Sequence, residues 1–325
     1  MQAILVVTLP FFALVLCGYL AARQKLLPEA AIPGLNAYVL YFALPCMLYR
    51  FGASMPFASL IDPSLIAVYA LCALLIVALT VALTRRRVGL KNAAFGALVA
   101  AFPNSGFMGV PLLAALHGDA AAGPVIGTLL VDLFLTSTLC LALAHAERRD
   151  PAEGSALVSV GRSLRAALAN PQPWAIALGA LAAAASVQLP AALDQFVKML
   201  AASASPVALF TIGAVLWRAG QHAHTRTPLG DYLPVALIKL VVQPLLVGGV
   251  GLAARAAGLP ISSFGLTVLV LAAALPSASN VSLLAERFGA DNGRVARIIM
   301  TSTVLAFVSF TLMAWCLRGG AGSSL

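Results

Sequence analysis

Two proline-centred segments, and two charges inside apolar runs, hold the residues of this sequence best suited to chemistry. Phe102-Pro-Asn-Ser-Gly-Phe-Met-Gly-Val-Pro111 and Leu275-Pro-Ser-Ala-Ser-Asn280 each set a proline inside a long apolar run, followed by small polar residues. Proline removes a helix hydrogen bond and clashes with the preceding turn. In hydrocarbon the freed carbonyls need partners, so such breaks persist where they are buried in protein or line a wet cavity. A half-helix beginning at Asn104, or at Ser277, exposes N–H groups and the positive end of its dipole. Two such ends meeting at mid-membrane suit an anion. Pro103 and Pro276 set the breaks. Asn104, Ser105, Ser277, Ser279 and Asn280 are the candidate substrate-binding residues. The bland alternative is a pair of ordinary proline kinks packed by neighbouring helices.

The two charges are Asp132, in Leu129-Leu-Val-Asp-Leu-Phe-Leu-Thr136, and Lys239, in Val235-Ala-Leu-Ile-Lys-Leu-Val-Val-Gln-Pro244. An ionisable group inside an apolar run marks function by default. Asp132 beside an anion site is placed to take a proton that accompanies the substrate, or to form a structural ion pair with Lys239. Lys239 is suited to attract a carboxylate, to balance Asp132, or to snorkel toward an interface. Gln243 lies one turn on, on the same helix face. His222 and His224 form an H-x-H pair without nearby Cys, Asp or Glu, so no metal site is expected there. His117 and His145 fall at the ends of apolar runs. There is no phosphate loop, G-x-S-x-G elbow or H-E-x-x-H. No cofactor is expected, and coupling to H+ or Na+ is left open.

These residues need a scaffold, and the composition says which kind. The chain has 325 residues, 61% hydrophobic and 10% charged, with mean hydropathy +0.98. Soluble domains carry about 45–50% apolar and about 25% charged residues. A soluble domain, a disordered chain and a disulfide scaffold are excluded. An all-α integral membrane protein remains, because the apolar runs are continuous and do not alternate. Ten runs are expected as helices, at 3–22, 33–51, 63–84, 92–115, 121–145, 172–189, 194–218, 230–257, 261–285 and 294–317. The five cysteines all lie within apolar segments, and none forms a C-x-x-C pair. The first run is too long for a signal-peptide core and carries its positive charge after the run.

The net charge of +9 reads as topology. Fifteen Lys and Arg follow the odd-numbered runs, four follow the even-numbered ones, and Lys239 lies within a run. Such a bias puts the odd loops in the cytoplasm and both termini in the periplasm. The expected partners are therefore membrane lipid and a small anion, with no nucleic acid. A homodimer is compatible with such a chain.

An internal repeat is also visible. Ala43-Leu-Pro-Cys-Met-Leu-Tyr49 matches Ala204-Ser-Pro-Val-Ala-Leu-Phe210 at an offset of 161, and Leu27-Pro28 matches Leu189-Pro190 at 162. Residues 1–146 and 171–325 would be two five-helix copies, with 147–170 as a cytoplasmic linker. An odd number of spans per copy makes the repeat inverted, a common build for secondary transporters.

The chain resembles the auxin efflux carrier family, whose bacterial members include malonate and malate carriers. The matching segments are Leu35-Asn-Ala-Tyr-Val-Leu-Tyr-Phe-Ala-Leu-Pro45, Phe102 to Leu112, Ala169-Asn-Pro171, Leu209-Phe-Thr-Ile-Gly213, Ile238 to Pro244, Ala274-Leu-Pro276 and Leu284-Ala-Glu286. They run in family order over nearly the whole chain, and P-N-x-x-x-M-G-x-P is the most specific. The resemblance implies that the fourth and ninth helices are broken and cross, as in bile-acid and sodium–proton transporter folds. It implies an organic anion at the crossing, with Pro103 and Pro276 as crossing prolines and Asn104 facing the substrate. The expected activity is secondary transport of small (di)carboxylates. A passive anion channel is the alternative, and an enzyme lacks any acid–base–nucleophile set.

Overall fold

The computed structural model describes residues 2–56, 60–146, 161, 164–165, 168–221 and 227–320. Among these residues no strand forms. The helices are α1 (Gln2–Arg23), α2 (Ala31–Ser54), α3 (63–88), α4 (90–101), α5 (Ser105–His117) and α6 (Asp119–Ala146). After the linker come α7 (Pro171–Ala184), α8 (Ala191–Gln221), α9 (Leu229–Ala256), α10 (Ser263–Ala273), α11 (Val281–Arg287) and α12 (Asn292–Gly320). Seven stretches among the described residues are long and apolar enough to cross a membrane. His222, His224 and most of the linker lie outside the described residues.

Local sequence explains the boundaries. Asp62 and Asn170 cap α3 and α7 through Ser64 N–H (2.9 Å) and Gln172 N–H (2.9 Å), each with proline at the first helical position. Ser262 caps α10 through Gly265 N–H. The α3–α4 run bends at Gly89, whose φ of 80° lies where a side chain is strained. Wide π-turns at Val39–Ala43, Ser105–Gly109 and Ile238–Val242 each end two residues before a proline (Pro45, Pro111, Pro244). The wider turn accommodates the N–H that proline lacks.

The helices sort into two groups. α1 packs on α8, and α2 packs on α7 and α8. The remaining helices, α3–α6 and α9–α12, pack around the two breaks. Close approach within the first group rests on glycine. A Cβ on Gly18 would stand 1.8 Å from the Phe210 carbonyl oxygen, and one on Gly213 would stand 1.9 Å from that of Val15. At the α2–α7 contact, Gly179 and Gly52 would meet the Tyr49 and Ile176 carbonyls at 2.3 and 2.8 Å. Gly18 and Gly179 are 161 positions apart, and so are Gly52 and Gly213. Gly213→Ala is expected to push α1 and α8 apart at a cost of about 1–3 kcal/mol, the range for overpacking. Thermal unfolding in detergent checks this, and an unchanged midpoint would contradict the contact.

One basic residue departs from the loop role its sequence position suggests. Arg294 is buried in the first turn of α12. Its guanidinium donates to the carbonyls of Asp231 (2.7 Å) and Asn92 (2.8 Å), tying α12 to α9 and α4. Arg87 reaches the Asp231 carboxylate at 2.6 Å, so this face is braced by cations as well as flanked by them.

Candidate functional site: the crossing of two broken helices

The two breaks meet. Pro103 and Ser277 form an isolated antiparallel bridge. Asn104 N–H donates to the Pro276 carbonyl (2.8 Å), and Ala278 N–H donates to the Phe102 carbonyl (3.0 Å). Each extended segment thus satisfies the other where neither can continue a helix.

The carbonyls left at the helix ends are capped from neighbouring elements. Pro103 has no N–H for the carbonyl of Val99, four residues back, and the Ser277 hydroxyl donates there instead (2.7 Å). The Ala101 carbonyl, at the end of α4, accepts from the Gln243 amide (2.7 Å). The Ala273 carbonyl, at the end of α10, accepts from the Lys239 ammonium (2.8 Å). A cation at a helix C-terminus also complements the dipole. Lys239 and Gln243, one turn apart on α9, therefore hold both incoming half-helices, and they bond to each other.

Two of the alternatives left open for the buried charges are not what this geometry contains. Lys239 does not snorkel, since it is 0% exposed. Asp132 and Lys239 make no direct ion pair. Asp132, also 0% exposed, accepts from the Tyr69 hydroxyl (2.9 Å) and the Thr136 hydroxyl (3.0 Å). The Tyr69 hydroxyl also lies 3.3 Å from the Ala101 carbonyl. The chain of contacts runs Asp132–Tyr69–Ala101–Gln243–Lys239, with the two charges at its ends. Asp132 opens the π-turn Asp132–Thr136, and its own carbonyl accepts from Ser137 Oγ (2.8 Å).

Beyond the breaks, the two half-helix starts differ. Asn104 is the N-cap of α5 and Asn280 that of α11, and neither side chain caps its helix. In α11 the first N–H groups turn back on the chain: Val281 bonds to the Ala278 carbonyl and Ser282 to that of Ser279. In α5 the Ser105 N–H also turns back, to the Pro103 carbonyl (2.7 Å), but the N–H groups of Gly106 and Phe107 have no backbone partner among the described residues. Of the two expected dipole ends, α5 is the one that leaves its second and third N–H groups open.

A cavity of about 20 Å³ sits there, lined by Pro103, Asn104, Ser105, Gly106, Phe107, Gln172, Ala278 and Asn280, with Phe102 and Leu129. That is room for about one water molecule. Among the described residues no charged side chain lines it. Asn104 is 5% exposed, and its amide makes no hydrogen bond among the described residues. The buried Oδ1 of Asn280 has no partner. Ser105 Oγ pairs with the Thr128 hydroxyl (3.0 Å). Of the candidate residues, Pro103, Asn104, Ser105 and Asn280 come together at this cavity. Pro276, Ser277 and Ser279 do not line it, and the Ser277 hydroxyl is engaged as a helix cap. Neither Asp132 nor Lys239 lines it. Sequence reasoning missed Tyr69 and Gln172. A tyrosine and a glutamine in apolar runs were the available signals.

A larger cavity of about 430 Å³ lies between α2, α5 and α8, lined by Met47, Arg50, Pro111, Asp119, Lys198 and Ser205 among others. Arg50 there is paired with Asp194 at 2.8 Å.

The profile of the family described as "Membrane transport protein" matches residues 3–314. A Rhizobium meliloti protein named "Putative malonate transporter" is 29% identical over 96% of this chain and 95% of its own length. "Uncharacterized transporter YfdV" of Escherichia coli is 26% identical over 92% of this chain and 93% of its own. "Auxin efflux carrier component 8" of Arabidopsis thaliana is 23% identical over 83% of this chain and 85% of its own. With a family profile matched over nearly its full length, the chain belongs to the auxin efflux carrier family of membrane transport proteins.

Proposed function

We propose that this transporter carries small organic dicarboxylates, such as malonate or malate, across the bacterial cytoplasmic membrane by secondary active transport. The observation that carries the reading is the crossing. The free N–H groups of Gly106 and Phe107, with Asn104 and Asn280, lie at a cavity that no charged side chain lines among the described residues. N–H donors and a positive dipole end select an anion there without a fixed counter-ion. The name of the Rhizobium relative supports malonate as the first substrate to try.

In this reading the chain crosses the membrane ten times, with both termini periplasmic. α3 and α4 count as separate spans divided at Gly89, and the α4–α5 and α10–α11 pairs are the broken ones. Residues 1–146 and 171–325 are inverted five-helix repeats joined by 147–170. The glycine contacts support this, because α1 meets α8 and α7 meets α2 through residues at the same 161-position offset as the sequence match. Alternating access is movement of the α1, α2, α7 and α8 group against the rest, around the crossing.

Coupling to a proton runs through Asp132, which touches the crossing only through Tyr69 and the Ala101 carbonyl. A proton on Asp132 would alter the acceptor that Tyr69 faces, and through it the cap on α4. Proteoliposomes loaded with unlabelled malonate should take up labelled malonate saturably, and an inward acid gradient should drive accumulation. Asp132→Asn is expected to abolish accumulation while leaving exchange partly intact. Flux that neither saturates nor responds to trans substrate would mark a channel. Sodium-driven accumulation that survives Asp132→Asn would move coupling to Na+.

A further inference from the structure

The crossing presents its donors from one side, on α5 and the segment before α11. The side chain facing them from the other helix group is Gln172 of α7. Its placement is firm. Asn170 caps α7 by accepting from Gln172 N–H (2.9 Å), Pro171 fixes the first turn, and the Gly52–Gly179 contact seats α7 on α2. Gln172 is 4% exposed, yet its amide makes no hydrogen bond among the described residues. The amide is not fully buried, so it keeps surface through which a ligand or water can bond it. Across the same cavity the Asn104 amide likewise makes no hydrogen bond among the described residues, and the Asn280 Oδ1 is fully buried without one. Three amides therefore converge on one point, from two bodies, without bonding to one another.

We infer that Gln172 is a substrate-contacting residue that selects dicarboxylates over monocarboxylates, binding the second carboxylate while Asn104 and the α5 start hold the first. This rests on the crossing being the anion site. The chemistry follows from the placement. A monocarboxylate placed at α5 needs donors from one side only, and its apolar tail would leave the Gln172 amide unpaired. A malonate-like anion carries acceptors at both ends, and the Gln172 NH2 group donates to the second. The cavity of about 20 Å³ is too small for either anion, so α7 must stand further off when substrate is bound. The long glutamine side chain can keep contact over that distance. Engaging the second carboxylate would draw the two helix groups together, so closure would depend on having the right substrate.

Malonate and propionate test this, since both have three carbons and differ by one carboxylate. Equilibrium binding of each is measured on the purified full chain, for the wild type, Gln172→Ala and Gln172→Met. Methionine keeps the length and most of the volume. Both variants are expected to lose malonate affinity roughly tenfold, the lower end for one hydrogen bond to a charged group. Propionate affinity should stay unchanged, so the malonate-to-propionate ratio collapses. Equal losses for both anions, no loss for either, or failure of both variants to fold would overturn the inference and make Gln172 a packing residue. A wild type that binds neither carboxylate would instead overturn the proposed function itself.

Discussion

Asn104→Ala is expected to raise the malonate dissociation constant roughly 10- to 150-fold, the loss of one charge-assisted hydrogen bond worth about 1.5–3 kcal/mol. The asparagine caps nothing in α5, so its removal leaves no helix end exposed. Folding should therefore survive, and calorimetric or scintillation-proximity binding on purified protein reads the affinity directly. Asn280→Ala should follow in the same direction through loss of its Nδ2 donor, and its side chain caps nothing in α11. Ser277→Ala should behave differently. Its hydroxyl closes the Val99 carbonyl that Pro103 leaves open, so the loss should appear in stability and not in affinity. Normal affinity in both asparagine variants, with normal expression, would make the crossing a hinge.

Lys239→Met is expected to destabilise the protein by about 2–4 kcal/mol. The change leaves two buried acceptors, the Ala273 carbonyl and the Gln243 side-chain oxygen, without their donor, and each such orphan costs about 1–3 kcal/mol. Methionine fills much of the volume and removes the expense of burying a charge, which limits the loss. The Asp132 carboxylate would then be the uncompensated charge of the layer. Adding Asp132→Asn to Lys239→Met should recover part of the stability, although the two side chains never touch. Thermal unfolding of the two single variants and the double variant in one detergent gives the coupling. Strict additivity would contradict electrostatic compensation across the Tyr69–Ala101–Gln243 chain.

The breaks at Pro103 and Pro276 were legible in the sequence because proline imposes its constraint locally. Their equivalent places in the internal repeat suggested a shared site, and the family resemblance implied that the two broken helices cross. What each polar residue does there was not legible. Ser277 and Asn104 follow their prolines in the same way, yet one caps a carbonyl across the crossing and the other faces the cavity. The difference depends on how α4 and α10 sit against each other. Asp132 and Lys239 invited pairing because nothing in a sequence shows the helix-end carbonyls that compete for them. Gln172 was invisible for a similar reason: α7 is seated by the contact of Gly179 with Gly52, a residue far from it in sequence. The even spacing of those glycines extends the repeat that the A-x-P-x-x-L-aromatic match already suggested.

The most direct test is to locate a heavy-atom substrate. Crystals of the full chain grown with bromomalonate would show the bromine by anomalous scattering. The account predicts a single peak at the crossing, beside Asn104, Gln172 and Asn280, with the carboxylate toward the start of α5. A peak in the larger cavity beside Arg50 and Lys198, with none at the crossing, would contradict it.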